Sequence, residues 1–300
     1  QQFILALIVG IGTGGLYAMM ATGLVVAYKG SGIINFGHTA IGMYAAFTFD
    51  EIQKKGTIKL PWFDFLPDFV PFDIPVTIKI ADPSKATWSW LAIIVALLMA
   101  CLLGLAAHFL VFRPLRNASA LSKVIGSLGV LLYIQSVTEL GFGSQNRSPA
   151  GFLPTGSIRN VFGLGGDLAT AYVVIAICSL VLGLIIWLLY QKTPFGLMTR
   201  AADENEKGAV VLGFSPQLIA GANWVLSAFT AGLGALLYIG ITSLNIGSYT
   251  GFIVPALSVA LIGNLSSIWG TVLGGLAFGT VQSGLVNLAG KDWWPSWAPA

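Results

Sequence analysis

The chain has few charged residues, few histidines and few cysteines. Of its 300 residues 9% are charged and 56% are hydrophobic, with two histidines and two cysteines. A soluble domain carries about 25% charged residues, so this composition excludes an ordinary soluble protein. The net charge of +3 is small and no basic tract accompanies it, which excludes a typical nucleic-acid-binding protein.

The motifs of nucleotide binding and hydrolytic chemistry are also missing. The chain has no G-x-x-x-x-G-K-[ST], H-E-x-x-H or G-x-S-x-G motif. We therefore expect no ATP hydrolysis by the chain itself, and no enzyme. Cys101 and Cys178 lie in separate apolar runs, where we expect small buried residues rather than a disulfide or a metal site. We expect no cofactor and no metal.

Long apolar segments separated by polar connectors make up most of the sequence. A chain of this length can hold about six to ten membrane spans of ~20 residues. We predict an all-α polytopic membrane protein with about eight transmembrane or re-entrant helices, in a single transmembrane domain over 1–300. The predicted segments are 3–28, 33–49, 88–112, 121–142, 171–190, 216–240, 250–269 and 270–288.

Two of these segments carry features that break a membrane helix. Segment 33–49 is short and contains Asn35 and His38, and segment 250–269 is interrupted by Pro255 and further along by glycine and asparagine. Polar groups at membrane depth are tolerated where the backbone is packed in protein or lines a cavity. We predict broken or re-entrant helices at both places.

The distribution of lysine and arginine predicts the orientation. Basic residues are denser in 113–123 and 191–215 than in 143–170. Since basic loops stay in the cytoplasm, we place the first two connectors on the cytoplasmic side and the loops 50–87 and 143–170 on the extracytoplasmic side. The chain starts without Met and ends in a Trp-rich sequence, so we expect both ends to be trimmed.

The connector between the spans at 171–190 and 216–240 has the pattern of a capped helix. Thr193 suits an N-cap, Pro194 the first helical position and Gly213 the helix stop. Asp203 and Lys207 are four residues apart and can pair on one helix surface. We predict a short helix outside the bilayer, either a docking element or a solvated connector.

Three segments resemble the permease subunits of branched-chain (hydrophobic) amino acid ABC importers. They are Ile-Asn-Phe-Gly-His at 34–38, the connector 194–216, and Leu-Ile-Gly-Asn-Leu-Ser-Ser-Ile-Trp-Gly at 261–270. Their order and spacing cover nearly the whole chain. Two positions depart from the family pattern: Asn264 follows Gly263 where a second glycine is usual, and Thr39 stands where glycine is usual. These departures leave the exact solute open.

The resemblance implies a function and a set of partners. It implies a permease of an ATP-driven importer that moves branched-chain or other hydrophobic amino acids inward across a bacterial inner (plasma) membrane. The implied partners are a second homologous permease, two ATP-binding subunits and an extracytoplasmic substrate-binding protein, and 191–215 becomes the cytoplasmic coupling loop. The alternatives are an ABC permease for urea, short amides or another small polar solute, a secondary carrier or channel, and a membrane scaffold.

The candidate residues form three groups. Polar residues at helix breaks are suited to contact a substrate that is a zwitterion with an apolar side chain. For His38 the alternative is a structural role, in which it forms a hydrogen bond to nearby backbone. The substrate-pathway candidates are Tyr17, Asn35, His38, Asn245, Ser248 and Asn264. The ATPase-coupling candidates are Arg200, Ala201, Asp203, Glu204, Asn205, Lys207, Leu212 and Gly213. The helix-packing candidates, which include two G-x-x-x-G pairs, are Gly10, Gly14, Gly270, Gly274, Gly275 and Gly279.

Overall fold

A computed structural model of the chain describes residues 2–61, 77–79, 88–149, 151–154, 156–159 and 167–289. The described structure consists mainly of helices. The helices are α1 Gln2–Ser31, α2 His38–Lys55, α3 Trp88–Ala107, α4 Ala120–Phe142, α5 Thr170–Lys192, α6 Pro194–Glu204, α7 Glu206–Val211, α8 Pro216–Ile239, α9 Ile246–Gly251, α10 Ile253–Ile262 and α11 Ile268–Ala289. A π-helical turn, His108–Phe112, extends α3, and a 3₁₀ turn, Pro114–Asn117, follows it.

Two short antiparallel strand pairs accompany the helices. Strand β1, Thr57–Lys59, pairs with β2, Thr77–Lys79, with Ile58 opposite Ile78. Strand β3, Ser157–Ile158, pairs with β4, Leu168–Ala169. Both pairs lie in the predicted extracytoplasmic loops, whose remaining residues at 62–76, 80–87, 150, 155 and 160–166 are outside the described part.

Among the described residues, six helical segments are long and apolar enough to cross a membrane. They are Phe3–Ser31, Ser89–Phe112, Ala120–Phe142, Thr170–Lys192, Pro216–Ile239 and Ile268–Ala289. One shorter apolar helical segment, Ile246–Ile262, accompanies them, so the predicted count of about eight is only approximate. The prediction of an all-α, multi-pass membrane protein is therefore confirmed.

The predicted segment 250–269 is broken at Gly263 and Asn264, as expected, but not at Pro255. The helices α9 and α10 separate at Phe252, and residues 263–267 form a loop before α11. Pro255 does not break α10, because it is the third residue of that helix, where the N–H has no intrahelical acceptor. The chain therefore turns back after α10 rather than continuing as one interrupted span.

Two smaller predictions also need correction. Helix α1 continues to Ser31, three residues beyond its predicted end, and stops at Gly32, whose φ is +62°. Cys101 and Cys178 are free and half-buried rather than buried.

The chain divides into two compact units. Unit 1 comprises Gln1–Gly32, Leu153–Asn223 and Val254–Ala300, and unit 2 comprises Ile33–Phe152 and Trp224–Ile253. In unit 1 the helices α1, α5 and α11 pack against one another. The contact between α1 and α11 is made through glycine: a Cβ at Gly279 would lie 2.3 Å from the Gly14 Cα. Two helix backbones approach this closely only where neither carries a side chain.

In unit 2 the helix α2 is enclosed by other elements. Every residue from His38 to Ile52 is buried, and α2 packs against α3, α4 and α9. A helix that is buried on all sides forms the centre of its unit. Its polar residues Thr39, Thr48, Asp50 and Glu51 are buried as well, so each needs a partner inside the protein.

Candidate coupling surface and transport pathway

The connector after α5 begins as the sequence predicts. Pro194 is the first residue of α6 and Thr193 is at its N-cap position. The Thr193 hydroxyl does not cap α6, however, because it donates to the carbonyl oxygen of Leu189 in the last turn of α5. Gly213 has φ +84°, the left-handed conformation expected at the stop.

The prediction of one continuous helix over this connector is wrong. Asn205 is extended, with φ −149° and ψ 94°, and separates α6 from α7. Its Oδ1 accepts a hydrogen bond of 2.9 Å from the Gly208 amide, which caps α7. Because Asn205 lies between Asp203 and Lys207, these two residues are not on one helix surface, and the predicted ion pair is not formed.

Helix α6 is held tightly against the end of α5. Gly196 is essential to this contact, since a Cβ there would lie 1.9 Å from the carbonyl oxygen of Tyr190. Arg200 Nη1 donates to the same carbonyl at 3.0 Å and to Gln191 Oε1 at 3.3 Å. These bonds satisfy acceptors at the C-terminus of α5, which a helix end leaves without intrahelical partners.

A buried polar network joins α6 to α8. The Tyr190 hydroxyl donates to Asn223 Oδ1. The Asn223 amide nitrogen donates to the Ile219 carbonyl at 2.8 Å and lies 3.4 Å from Thr199 Oγ1. Asn223 is completely buried, so its hydrogen bonds strongly favour this one arrangement of α5, α6 and α8.

The remaining coupling candidates lie on an exposed surface. Val211 is 87% exposed and Leu212 is 70% exposed, and Leu197 on α6 is exposed too. The other exposed candidates are Asp203, Glu204, Asn205, Lys207 and Gly213, whereas Arg200 and Ala201 are half-buried. We call the exposed residues of α6 and α7, with Leu212, the connector surface. It combines apolar and charged side chains.

Asn35 and His38 lie at the predicted break, just before and at the start of α2. The His38 amide donates to the Asn35 carbonyl at 3.2 Å, and its Nδ1 lies 3.1 Å from the hydroxyl oxygen of Ser227 on α8. Asn35 is buried, and its Oδ1 has no hydrogen-bond partner among the described residues. The break therefore places a buried acceptor close in sequence to a histidine–serine pair.

Ser227 was not among the predicted residues, although the sequence contains a signal for it. Asn223, Ser227 and Thr230 are spaced by four and three residues, which puts them on one face of α8. All three side chains are buried. A polar stripe at this spacing inside an apolar span indicates contacts with protein rather than lipid.

Asn245 and Ser248 are engaged in a local cap in unit 2. Asn245 Oδ1 accepts a hydrogen bond of 2.7 Å from the Ser248 amide and so begins α9. Helix α9 is tied to α2 through Thr39 Oγ1, which lies 3.4 Å from the Thr250 carbonyl oxygen. The polar atoms of this region therefore hold the chain in place beside α2.

Tyr17 and Asn264 belong to unit 1. Tyr17 packs edge to face against Phe278 of α11, with ring centroids 5.6 Å apart. Asn264 is exposed, with φ 52°, in the loop before α11. The structure thus assigns four of the predicted pathway residues to unit 2 and two to unit 1.

The predicted packing glycines divide in a similar way. Gly10, Gly14, Gly275 and Gly279 line the contact between α1 and α11. Gly270 and Gly274 instead lie beside the preceding loop and α10, against Ser267 and Ile262. The two G-x-x-x-G pairs of α11 therefore have different neighbours.

A buried charge cluster at the end of α2 was not predicted. Arg147 Nη1 lies 3.0 Å from both Asp50 Oδ2 and Glu51 Oε2, and the two carboxylates are almost completely buried. Lys54 and Lys55 add ion pairs of 2.7 and 2.8 Å from the next turn of α2. Because Asp50 and Arg147 are 97 residues apart in the sequence, no local pattern indicates this pairing.

The cluster shifts the ionisation of its members. Burial alone would raise the pKa of Glu51, but hydrogen bonds from Lys55 and Arg147 outweigh it and lower that pKa. Burial alone would lower the pKa of Arg147, but its bonds to Glu51 and Asp50 raise it. Both groups therefore stay charged inside unit 2.

Comparison with known proteins identifies related sequences over nearly the whole chain. The family described as "Branched-chain amino acid transport system / permease component" matches residues 6–298. The high-affinity branched-chain amino acid transport system permease protein LivH of Salmonella typhimurium is 24% identical over 281 residues, which cover 91% of this chain and 83% of LivH. BraD of Pseudomonas aeruginosa, with the same description, is 23% identical over 287 residues, covering 94% of this chain and 86% of BraD.

A shorter similarity connects the chain to a sugar permease. The ribose import permease protein RbsC of Bacillus subtilis is 31% identical over 122 residues, covering 38% of each chain. No solved structure matches this chain at a significant level.

Proposed function

Because the chain belongs to the family of branched-chain amino acid transport system permease components, we propose that it is the membrane-spanning subunit of an ATP-driven importer for branched-chain or other hydrophobic amino acids. In this proposal a second homologous permease completes the pathway and two ATP-binding subunits supply the energy. An extracytoplasmic binding protein delivers the amino acid, and the assembly sits in a bacterial inner membrane.

The connector surface is the observation that carries this proposal. Apolar side chains as exposed as Val211 and Leu212, on helices too short and polar to cross a membrane, are typical of a protein-binding surface. A short helix of mixed character fits a groove on a partner, here the ATP-binding subunit. Arg200 attaches α6 to α5, and the contact of Thr199 with Asn223 attaches α6 to α8. Movement of α6 would therefore be passed directly to membrane helices.

A double substitution on the connector surface tests the docking. Val211→Asp with Leu212→Asp places two carboxylates on exposed positions, so the fold should be retained while docking is lost. We expect co-purification of the ATP-binding subunits to fall at least about tenfold, which corresponds to ~1.4 kcal/mol of binding free energy. Asn117→Asp with Ser119→Asp is the matched control, because both residues are exposed in the other predicted cytoplasmic connector and precede α4. Equal co-purification of the double variant and the control would refute the docking role.

We place the amino acid near the break before α2. Asn35 Oδ1 is a buried acceptor suited to an ammonium group, and the His38–Ser227 pair offers a donor suited to a carboxylate. The apolar residues of unit 2 would accommodate the side chain, and a zwitterion needs no buried counter-charge.

We expect Asn35→Ala and Ser227→Ala to reduce leucine uptake strongly, with Ser136→Ala on the exposed face of α4 as the control. Normal uptake by both variants would remove this site.

A small polar solute is the second candidate substrate, because of the similarity to the ribose permease. The two substrate classes are separated by competition: excess unlabelled leucine should block uptake of labelled valine in vesicles that contain the whole assembly, whereas ribose and urea should not. If ribose blocks the uptake of labelled valine and leucine does not, the substrate is a sugar rather than a hydrophobic amino acid.

A further inference from the structure

Unit 1 contains a small pocket that the transport function does not use. It has a volume of about 130 Å³ and lies where α1 and α5 end and α11 begins. Its wall includes Lys29, Arg200, Ser266, Ser267, Trp187 and Trp269. Pockets for drug-sized ligands measure roughly 300–1,000 Å³, so this one suits a small group such as a phosphate.

The pocket carries an excess of positive charge. Lys29 Nζ lies 5.6 Å from the centroid of the Tyr190 ring, and Arg200 bonds only to the uncharged acceptors of Tyr190 and Gln191. Asp203 interacts with Lys29 electrostatically but is exposed. Within the described ranges no carboxylate forms an ion pair with Lys29 or Arg200, which contrasts with the fully paired cluster around Arg147.

Helix α11 adds a second source of positive potential. It is 22 residues long, and its first residues, Ile268 and Trp269, line the pocket. Ser267 Oγ accepts from the Gly270 amide at 3.0 Å, while the amides of Ile268 and Trp269 have no backbone acceptor in the described chain. A helix N-terminus with available amides favours a bound anion.

The surroundings of the pocket indicate that the anion is a lipid. The membrane helices α5 and α11, which contribute to its wall, carry exposed apolar side chains, among them Ile185, Leu188 and Leu273. Trp187 and Trp269 lie at the ends of membrane helices, where tryptophan is enriched at the lipid headgroups. Basic pockets between membrane helices at this level bind the headgroups of anionic lipids.

We propose that this pocket binds the phosphate group of an anionic phospholipid, with Lys29, Arg200 and the first amides of α11 as its ligands. The acyl chains would lie along the exposed apolar surfaces of α5 and α11. A bound lipid would connect α6, through Arg200, to α1 and α11. The proposal does not depend on which solute the protein transports.

The experiment compares two substitutions at Ser266 that differ only in charge. Ser266 is exposed, so Ser266→Glu and Ser266→Gln should both fold, but only the former places a carboxylate in the pocket. Native mass spectrometry of the full chain, purified from membranes with phosphatidylglycerol and phosphatidylcholine, measures the retained lipid. We expect retained phosphatidylglycerol to fall at least about fivefold in Ser266→Glu and to stay unchanged in Ser266→Gln, since one charge at a lipid surface contributes about this factor. Equal retention in the two variants would overturn the proposal.

A second pair of variants and a phosphate control complete the test. Lys29→Gln with Arg200→Gln should reduce retention by about 30-fold, as two such factors multiply. Lys192→Gln with Lys207→Gln removes two exposed cations outside the pocket and should leave retention unchanged.

Excess inorganic phosphate should not displace phosphatidylglycerol from the wild-type protein. Full displacement, or binding of phosphate with no retained lipid, would show a site for the free anion and refute the lipid.

Discussion

The two units differ in what their central helices bury. In unit 1, α1 and α11 meet through glycines along much of their contact, and that contact depends on side chains being absent. In unit 2, α2 has one such contact, where a Cβ at Gly42 would lie 2.6 Å from the Ala231 carbonyl oxygen, but it also carries two buried carboxylates that pair with Arg147, Lys54 and Lys55. The comparison shows that close backbone packing occurs in both units and that unit 2 adds a cluster of paired charges. The two units should therefore be sensitive to different substitutions.

Gly279→Leu should have the largest effect, because it blocks the backbone contact of unit 1. Its Cβ would lie 2.3 Å from Gly14 backbone atoms and 2.5 Å from the Gly10 carbonyl oxygen, and backbone cannot move aside as a flexible side chain can. We expect destabilisation above about 4 kcal/mol, measured by thermal unfolding in detergent. Gly129→Leu is the control, since a Cβ at Gly129 meets nothing within 4 Å. A stable Gly279→Leu protein would contradict the proposed basis of unit 1 packing.

Arg147→Met should have the next largest effect, because it leaves Asp50 and Glu51 buried without their main partner. Removing one side of a buried ion pair costs about 3–5 kcal/mol. The control is Arg159→Met, which removes an exposed arginine of the same loop and should change the melting temperature little. If the two variants unfold at the same temperature, the charge cluster does not stabilise unit 2.

Acid should weaken unit 2 through Glu51. Its pKa is lowered from 4.5 on folding, because hydrogen bonds from Lys55 and Arg147 outweigh the effect of burial. A carboxyl of this kind contributes stability above its unfolded pKa and loses it as the pH falls through its folded pKa. We therefore expect the melting temperature to decline below pH 4.5, with a smaller decline in Glu51→Gln than in the control Glu204→Gln, which alters an exposed carboxylate. Parallel pH profiles for both variants would exclude Glu51 as the titrating group.

Tyr190→Phe should have the smallest effect and tests the polar network of unit 1. It removes the hydroxyl that donates to the buried Asn223 Oδ1, at a cost of roughly 1–3 kcal/mol for an unsatisfied buried acceptor. The control is Tyr172→Phe at the start of α5, whose hydroxyl has no described hydrogen bond. Unchanged unfolding of Tyr190→Phe would mean that unit 1 relies on glycine packing alone.

Sequence reasoning succeeded where a feature is local. The apolar runs predicted the six membrane helices to within a few residues, since length and apolarity are sufficient to identify a span. The break before α2 was predicted from the polar and glycine residues Asn35, Gly37 and His38. The same reasoning failed at Asn205, because an asparagine can equally continue a helix or cap the next one. It also failed at Pro255, because the third position of a helix has no intrahelical acceptor to lose and so tolerates proline.

The sequence by itself determined that this is a multi-pass membrane protein of the branched-chain amino acid permease family, because hydropathy and motif order are written along the chain. Only the tertiary structure decided which polar groups have partners. Arg147 pairs with Asp50 and Glu51, and Ser227 meets His38. Lys29 and Arg200 face a pocket in which no described carboxylate forms an ion pair with them. The physical reason is that partners distant in sequence meet only after the helices have packed, and the low dielectric of the interior makes each such pairing energetically important.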